Sequence, residues 1–128
     1  MAMTATATTD REARQIEPLE AAGCLFHGFS DPSRLAILRH LALGEHRVTD
    51  LTAHIGLAQS TVSKHLACLK DCGLVTSRPE GRASMFSLTH PDALDDLFAA
   101  AERLLALTGG AVTLCATHGT DSLPGSTG

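Results

Sequence analysis

Between Val48 and Leu88 the apolar period changes once, and that change restricts the fold more than any other feature of the chain. Val48, Leu51 and Ile55 line one side of a short helix that Gly56 stops. Leu57 and Ala58 make a tight link. Val62, Leu66 and Leu69 then recur at helical spacing from about Gln59 to Cys72, with Gly73 as the C-terminal cap. Two helices joined by a short, glycine-containing link are the helix-turn-helix pattern. After Gly73 the period falls to two. Leu74–Arg78 and Ser84–Leu88 read as strands, with Pro79-Glu80-Gly81-Arg82 as the turn between them. The order predicts a β-hairpin directly behind the second helix.

The flanks supply the remaining helices. Ile16, Leu19, Gly23 and Phe26 recur at helical spacing and predict a first helix from about Pro18 to Phe29. Asp31-Pro32 is an N-cap followed by proline at the first helical position. Leu35, Leu38, Leu41 and Ala42 give that helix its inward face, and Gly44 closes it. Pro91 opens a last helix with Leu94, Leu97, Phe98, Ala101, Leu104 and Leu105 at 3-4 spacing, ended by Gly109-Gly110. Ala111–Leu114 is an apolar extension reaching Cys115. The fold class is mainly α with a small β-hairpin (α+β), a winged helix-turn-helix expected to be homodimeric. Residues 1–15 are expected to be disordered, 16–115 to form the DNA-binding and dimerisation domain, and 116–128 to be a flexible tail. The apolar faces of the first and last helices are too long for one small winged domain to cover, and a two-fold dimer matches a palindromic operator.

Charge follows the same division. The chain carries a net −4, but residues 30–90 hold seven basic and five acidic groups and form its one net-positive stretch. A DNA surface needs a local patch, whatever the total. With no Trp, no Tyr and four Phe, a base-stacking platform for single strands is not expected. No apolar run approaches the roughly 18 residues of a membrane span. The first residues lack a secretory signal, so a cytoplasmic location is expected. No Cys–His–carboxylate order, phosphate loop or acid pair is evident, so no enzyme is expected. Gln59, Ser60, Thr61, Ser63 and Lys64 crowd the polar face of the second helix at its N-terminal end, where they can reach base edges and phosphates of double-stranded DNA. Lys70, Arg78 and Arg82 are candidate phosphate contacts from the helix end and hairpin.

The stretch from Phe29 to Leu88 resembles the ArsR/SmtB family of winged-helix metalloregulatory repressors. The matching segments are DPSRLAILRHL, VTDLTAHIGLAQSTVSKHLACLKDCGLV and EGRASMFSL. The resemblance implies a homodimer that binds operator DNA and releases it when metal binds. Ala58 departs from the pattern, which often has a Ser at the start of the recognition helix.

Four cysteines, Cys24, Cys68, Cys72 and Cys115, are the candidate inducer ligands. A structural disulfide set is not expected in a cytosolic chain of this size. Cys68 and Cys72 stand one turn apart on the recognition helix, about 6 Å along its axis, so two thiolates can reach one soft ion. With Cys115 as third ligand, the set suits Cd(II), Pb(II) or Hg(II), with Zn(II) a weaker fit because structural zinc usually takes four ligands. The set Cys68, Cys72 and Cys115 is similar to that of the CmtR-type cadmium/lead sensors in the family, where a recognition-helix pair joins a tail cysteine of the other subunit. Two other family sites are missing. The Cys-Val-Cys of arsenic sensors is replaced by Arg47-Val48-Thr49, and Asp92–Leu107 contains no His. Cys24 reads either as a small core residue or as an accessory ligand, and His118 as a second accessory candidate. His65 reads as a structural or DNA-side residue. The alternative function is a thiol-redox or persulfide-sensing repressor of the same fold.

Overall fold

A computed structural model describes residues 16–110 and Leu114 of the chain. The tail with Cys115 and His118, and the expected disordered start, lie outside the described residues. A 3-10 turn, Glu17–Leu19, leads into α1 (Glu20–Gly28). The sequence predicts one continuous helix from Pro18. The turn at its start has Pro18 in its first positions, where the missing N–H does no harm. Then follow α2 (Pro32–Leu41), β1 (His46–Arg47), α3 (Val48–Ile55), α4 (Gln59–Asp71), β2 (Val75–Glu80), β3 (Ala83–Leu88) and α5 (Pro91–Leu107).

Local chemistry sets the boundaries. The Asp31 carboxylate accepts from the backbone N–H groups of Ser33 (2.7 Å) and Arg34 (3.2 Å), so α2 starts where the Asp-Pro pair places it. Gly56 takes φ +82° at the end of α3. Gly73 takes φ +77° after α4, the Leu74 N–H donates to the Leu69 carbonyl (2.9 Å), and the Gly73 N–H donates to that of Lys70 (3.0 Å). That is a Schellman closure, and it turns the chain sharply from recognition helix into wing. Ala58 caps α4 with no side-chain hydrogen bond, as expected where serine is missing.

The hairpin has a third partner. The sheet is antiparallel in the order β1-β3-β2, with His46 opposite Phe86 and Arg47 opposite Met85. Two residues are too few to show a period, so β1 escapes sequence reading. The expected turn also tightens. Pro79 and Glu80 belong to β2, Glu80 pairs with Ala83, and only Gly81 and Arg82 cross over. Gly81, at φ +62°, opens the two-residue loop as a type II′ turn requires.

Ile37, Leu38 and Leu41 of α2, Leu51 of α3, and Val62, Leu66 and Leu69 of α4 form the core, closed by Val75, Leu88, Leu94 and Phe98. Ala42, expected inward, is exposed, and Ile37 is buried in its stead, because α2 ends at Leu41. Phe29 meets Phe98 edge-on at 5.4 Å and ties α1 to α5. Gly28 is buried against α4, where a Cβ would stand 2.9 Å from Leu74 Cδ1.

Candidate DNA interface and thiol site

The recognition helix is held from behind, leaving its outer face open. Val62, Leu66 and Leu69 are buried, while Gln59, Ser60, Ser63 and Lys64 are exposed together and Thr61 is half-buried. Lys64 and the hairpin-tip Arg82 make no ion pair among the described residues. Arg78 differs from that pattern. Its guanidinium forms a two-pronged pair with Glu45 (2.9 Å for both hydrogen bonds) and a further contact with Glu80 at 2.7 Å. The Arg78 hydrogen bonds hold the Glu45 carboxyl below its ordinary pKa against the opposing effect of burial. Two carboxylates therefore pair with the guanidinium that sequence reading offered to phosphate, and the pairing braces β2 against the α2–β1 link. Lys70 donates to Ser77 Oγ at 2.9 Å.

Sequence reading missed the clamp behind the recognition helix. Arg34 is buried, at 9 % relative exposure. Its Nε donates to the Gly28 carbonyl (3.2 Å) and its Nη2 to the His27 carbonyl (2.8 Å) and Ser30 Oγ (3.2 Å). Its Nη1 lies 3.4 Å from His65 Nδ1. Arginine has no acceptor, so Nδ1 accepts, which leaves the His65 Nε2 proton facing Asp31 Oδ1 at 3.9 Å. One guanidinium thus joins the end of α1 to the start of α2 and to the middle of α4. His65 is accordingly structural. Burial opposes ionisation of Asp31, but the Ser33 and Arg34 N–H groups, helped by the nearby His65 and Arg34 side chains, hold its pKa below the ordinary value. The local signal was the Asp-Pro-Ser-Arg run, which reads as a cap and conceals the reach of its arginine.

The thiols are arranged differently from expectation. Cys68 and Cys72 stand on successive turns, with the Cys72 N–H donating to the Cys68 carbonyl at 3.1 Å. Cys68 is free and half-buried. Cys72 is joined to Cys24 as a disulfide, with the two Cα atoms 5.8 Å apart. The expectation against a disulfide is corrected here, as is the reading of Cys24 as a core residue: Cys24 is exposed on α1. The pair forms because Gly28 lets α1 close onto the end of α4, across 48 residues of sequence. Among the described residues no group of three or more His, Cys, Asp or Glu side chains stands ready to hold a metal ion. Cys115 and His118, the other ligand candidates, lie outside the described residues.

Comparison with known proteins agrees with this architecture. Residues 31–77 match the profile of the bacterial regulatory proteins of the arsR family. A probable mercury resistance operon repressor of Streptomyces lividans is 36 % identical over 93 residues, which span 73 % of each protein. The structure of the cadmium metal-sensor CmtR from Mycobacterium tuberculosis superposes with a TM-score of 0.51 at 40 % identity, covering 59 % of this chain and 81 % of that one. A homodimeric winged helix-turn-helix DNA-binding domain from Mycobacterium bovis gives a TM-score of 0.62 at 30 % identity, covering 73 % and 90 %. With its helix-turn-helix, its three-stranded wing and these relatives, the chain belongs to the arsR family of winged-helix transcriptional regulators and is not an enzyme.

Proposed function

We propose that this protein is a metal-responsive repressor that binds double-stranded operator DNA as a homodimer in the cytoplasm and lets go when a soft, thiophilic ion binds its cysteines. Cd(II) and Pb(II) are the inducers that fit best, and Hg(II) fits the same donors. The observation that carries the reading is the position of Cys68 and Cys72: they stand one turn apart at the helix that reads DNA, and reduction of the Cys24–Cys72 bond leaves both as thiols. Cys115 is taken as the third ligand on the resemblance to the CmtR-type sensors, with Cys24, which the fold brings to Cys72, and His118 as accessory candidates. Three thiolates favour large soft ions over hard ones. The relatives named for mercury resistance and for cadmium sensing support the same ligand chemistry.

Gln59, Ser60, Thr61, Ser63 and Lys64 read the groove, and Arg82 at the wing tip contacts phosphate. Cys115 follows the last helix, so ligation by all three thiols ties the recognition helix to the C-terminal region and biases the dimer toward a form that fits DNA less well. Cys68→Ser, Cys72→Ser and Cys115→Ser should each keep operator binding in the absence of metal and lose release by Cd(II), together with sulfur-to-metal charge-transfer absorbance. A Cys115→Ser protein that responds as wild type does overturns the three-thiol set.

The Cys24–Cys72 pairing favours a second reading, a thiol-redox repressor of the same fold. In it, the two thiols give two electrons and two protons to an oxidant such as a peroxide or a small disulfide, and one S–S bond forms. Cys24→Ser separates the readings. It abolishes release by oxidant under the second and leaves release by Cd(II) in reduced protein intact under the first.

A further inference from the structure

Three histidines that the sequence spaces six and eight residues apart meet on one face. His40 lies in the last turn of α2, His46 in β1 and His54 in the last turn of α3. Their ring centres stand 5.2 Å (His40–His54), 5.8 Å (His46–His54) and 6.3 Å (His40–His46) apart. With a Zn–N distance of about 2.0–2.1 Å and the ring centre roughly 1 Å beyond the nitrogen, three imidazoles around a tetrahedral ion stand roughly 5 Å apart centre to centre. In their present side-chain conformations the rings stand at or somewhat beyond that separation.

One ring is also oriented. His46 Nδ1 lies 2.8 Å from the Gly44 carbonyl oxygen. A carbonyl only accepts, so Nδ1 carries the proton and Nε2 keeps its lone pair, the tautomer that a backbone carbonyl imposes on ligand histidines. His40 is half-buried, with its ring beside those of His46 and His54. As they stand the rings do not converge: His40 and His54 are stacked, with 20° between planes. His54 is exposed, so it can turn about its side-chain torsions without moving the backbone.

We propose that His40, His46 and His54 close on a divalent ion of borderline softness, Zn(II), Ni(II) or Co(II), as a second metal site built from imidazole alone. Imidazole suits these ions, and three protein ligands leave a position for water. The site joins the first helix of the helix-turn-helix to β1, which pairs with wing strand β3, so occupancy ties the wing to the helix that supports recognition.

The test is a Co(II) titration of full-length protein without a polyhistidine tag, with Cys24, Cys68, Cys72 and Cys115 all replaced by serine. Circular dichroism confirms folding. The expected result is one ion per chain, visible d–d absorption of low-symmetry Co(II) and no sulfur charge-transfer band. His54→Gln and His40→Gln should each weaken apparent affinity by about tenfold or more, the scale seen when even a ligand's supporting partner is lost. His90→Gln should leave it unchanged. If the cysteine-free protein does not fold, Ni(II) is added to reduced wild type with the thiols alkylated, and broadening of the His40, His46 and His54 ring signals in NMR replaces the absorbance. Binding that His54→Gln and His40→Gln leave intact, or no stoichiometric binding at all, overturns the proposal.

Discussion

The two halves of this small domain treat apolar side chains in opposite ways. In the inner half, from α2 to α4, the residues at helical spacing are sealed: Ile37, Leu38, Leu51, Val62 and Leu69 have no exposed surface at all. In the outer half, formed by α1, the turn before it and α5, only Leu94 and Phe98 of the described residues join the sealed core, while Ile16, Leu19, Phe26 and Leu104 are each 58–63 % exposed. Periodicity alone does not separate these cases, since both halves show a helical stripe. The inner stripe is covered by its own chain. The outer stripe needs a second surface, and a second copy meeting it across a two-fold axis fits both that need and the relatives' homodimeric form. The inner half is therefore self-supporting, and in the proposed homodimer a second copy would complete the outer half.

The largest test of this contrast is a pair of truncations. Leu66→Ala, in the sealed half, should lower unfolding free energy by about 2–5 kcal/mol. Leu104→Ala should cost the protomer much less and instead raise the dimer dissociation constant. Denaturant unfolding and sedimentation at several concentrations measure the two effects, and equal losses of protomer stability would erase the distinction. Next in size is the coupling between the halves. If thiol ligation links α4 to the C-terminal region, Cd(II) should reduce operator affinity by up to roughly 150-fold, equivalent to about 3 kcal/mol, and Cys115→Ser should abolish the change. Footprint titrations with and without Cd(II) read this directly.

Smaller effects sharpen the seam where the halves meet. Asp31→Ala removes the α2 cap and one neighbour of His65, and should cost about 1 kcal/mol. The depressed pKa of Asp31 also sets a sign. The ionised carboxylate stabilises the fold above its unfolded pKa of about 3.9, and that contribution is lost as pH falls through the lower folded value. Asp31→Asn, measured from pH 6 down to 3, should therefore flatten the acid limb of the stability curve. An unchanged limb would show that the cap bonds do not favour the charged form. Smallest is the contrast within the wing. Arg82→Ala should reduce the slope of log affinity against log salt by about 0.9, the value of one phosphate contact. Arg78→Ala should change that slope less, because Glu45 and Glu80 occupy its guanidinium. A larger change from Arg78 would mean that the ion pairs open on DNA.

Sequence alone determined whatever depends on near neighbours. Helical spacing marks the recognition helix, Asp31-Pro32 marks the start of α2, Gly56 and Gly73 mark two helix ends, and the fall of the period to two after Gly73 marks the wing. Each is a signal carried within a few residues, because capping, handedness and side-chain direction are local properties of the backbone. The exposed polar face of α4 was legible for the same reason. What joins distant segments was decided only by packing. β1 is too short for any period and exists because β3 offers it an edge. Nothing beside Arg34 in sequence shows that α1 and α4 close around it. Arg78 reads as a phosphate ligand until the link before β1 brings Glu45 beside it. Cys24 and Cys72 meet, and His40, His46 and His54 gather, only because helices from separate stretches pack at fixed angles. Those angles follow from how the whole set of buried side chains fills the core, and no window of a few residues contains that information.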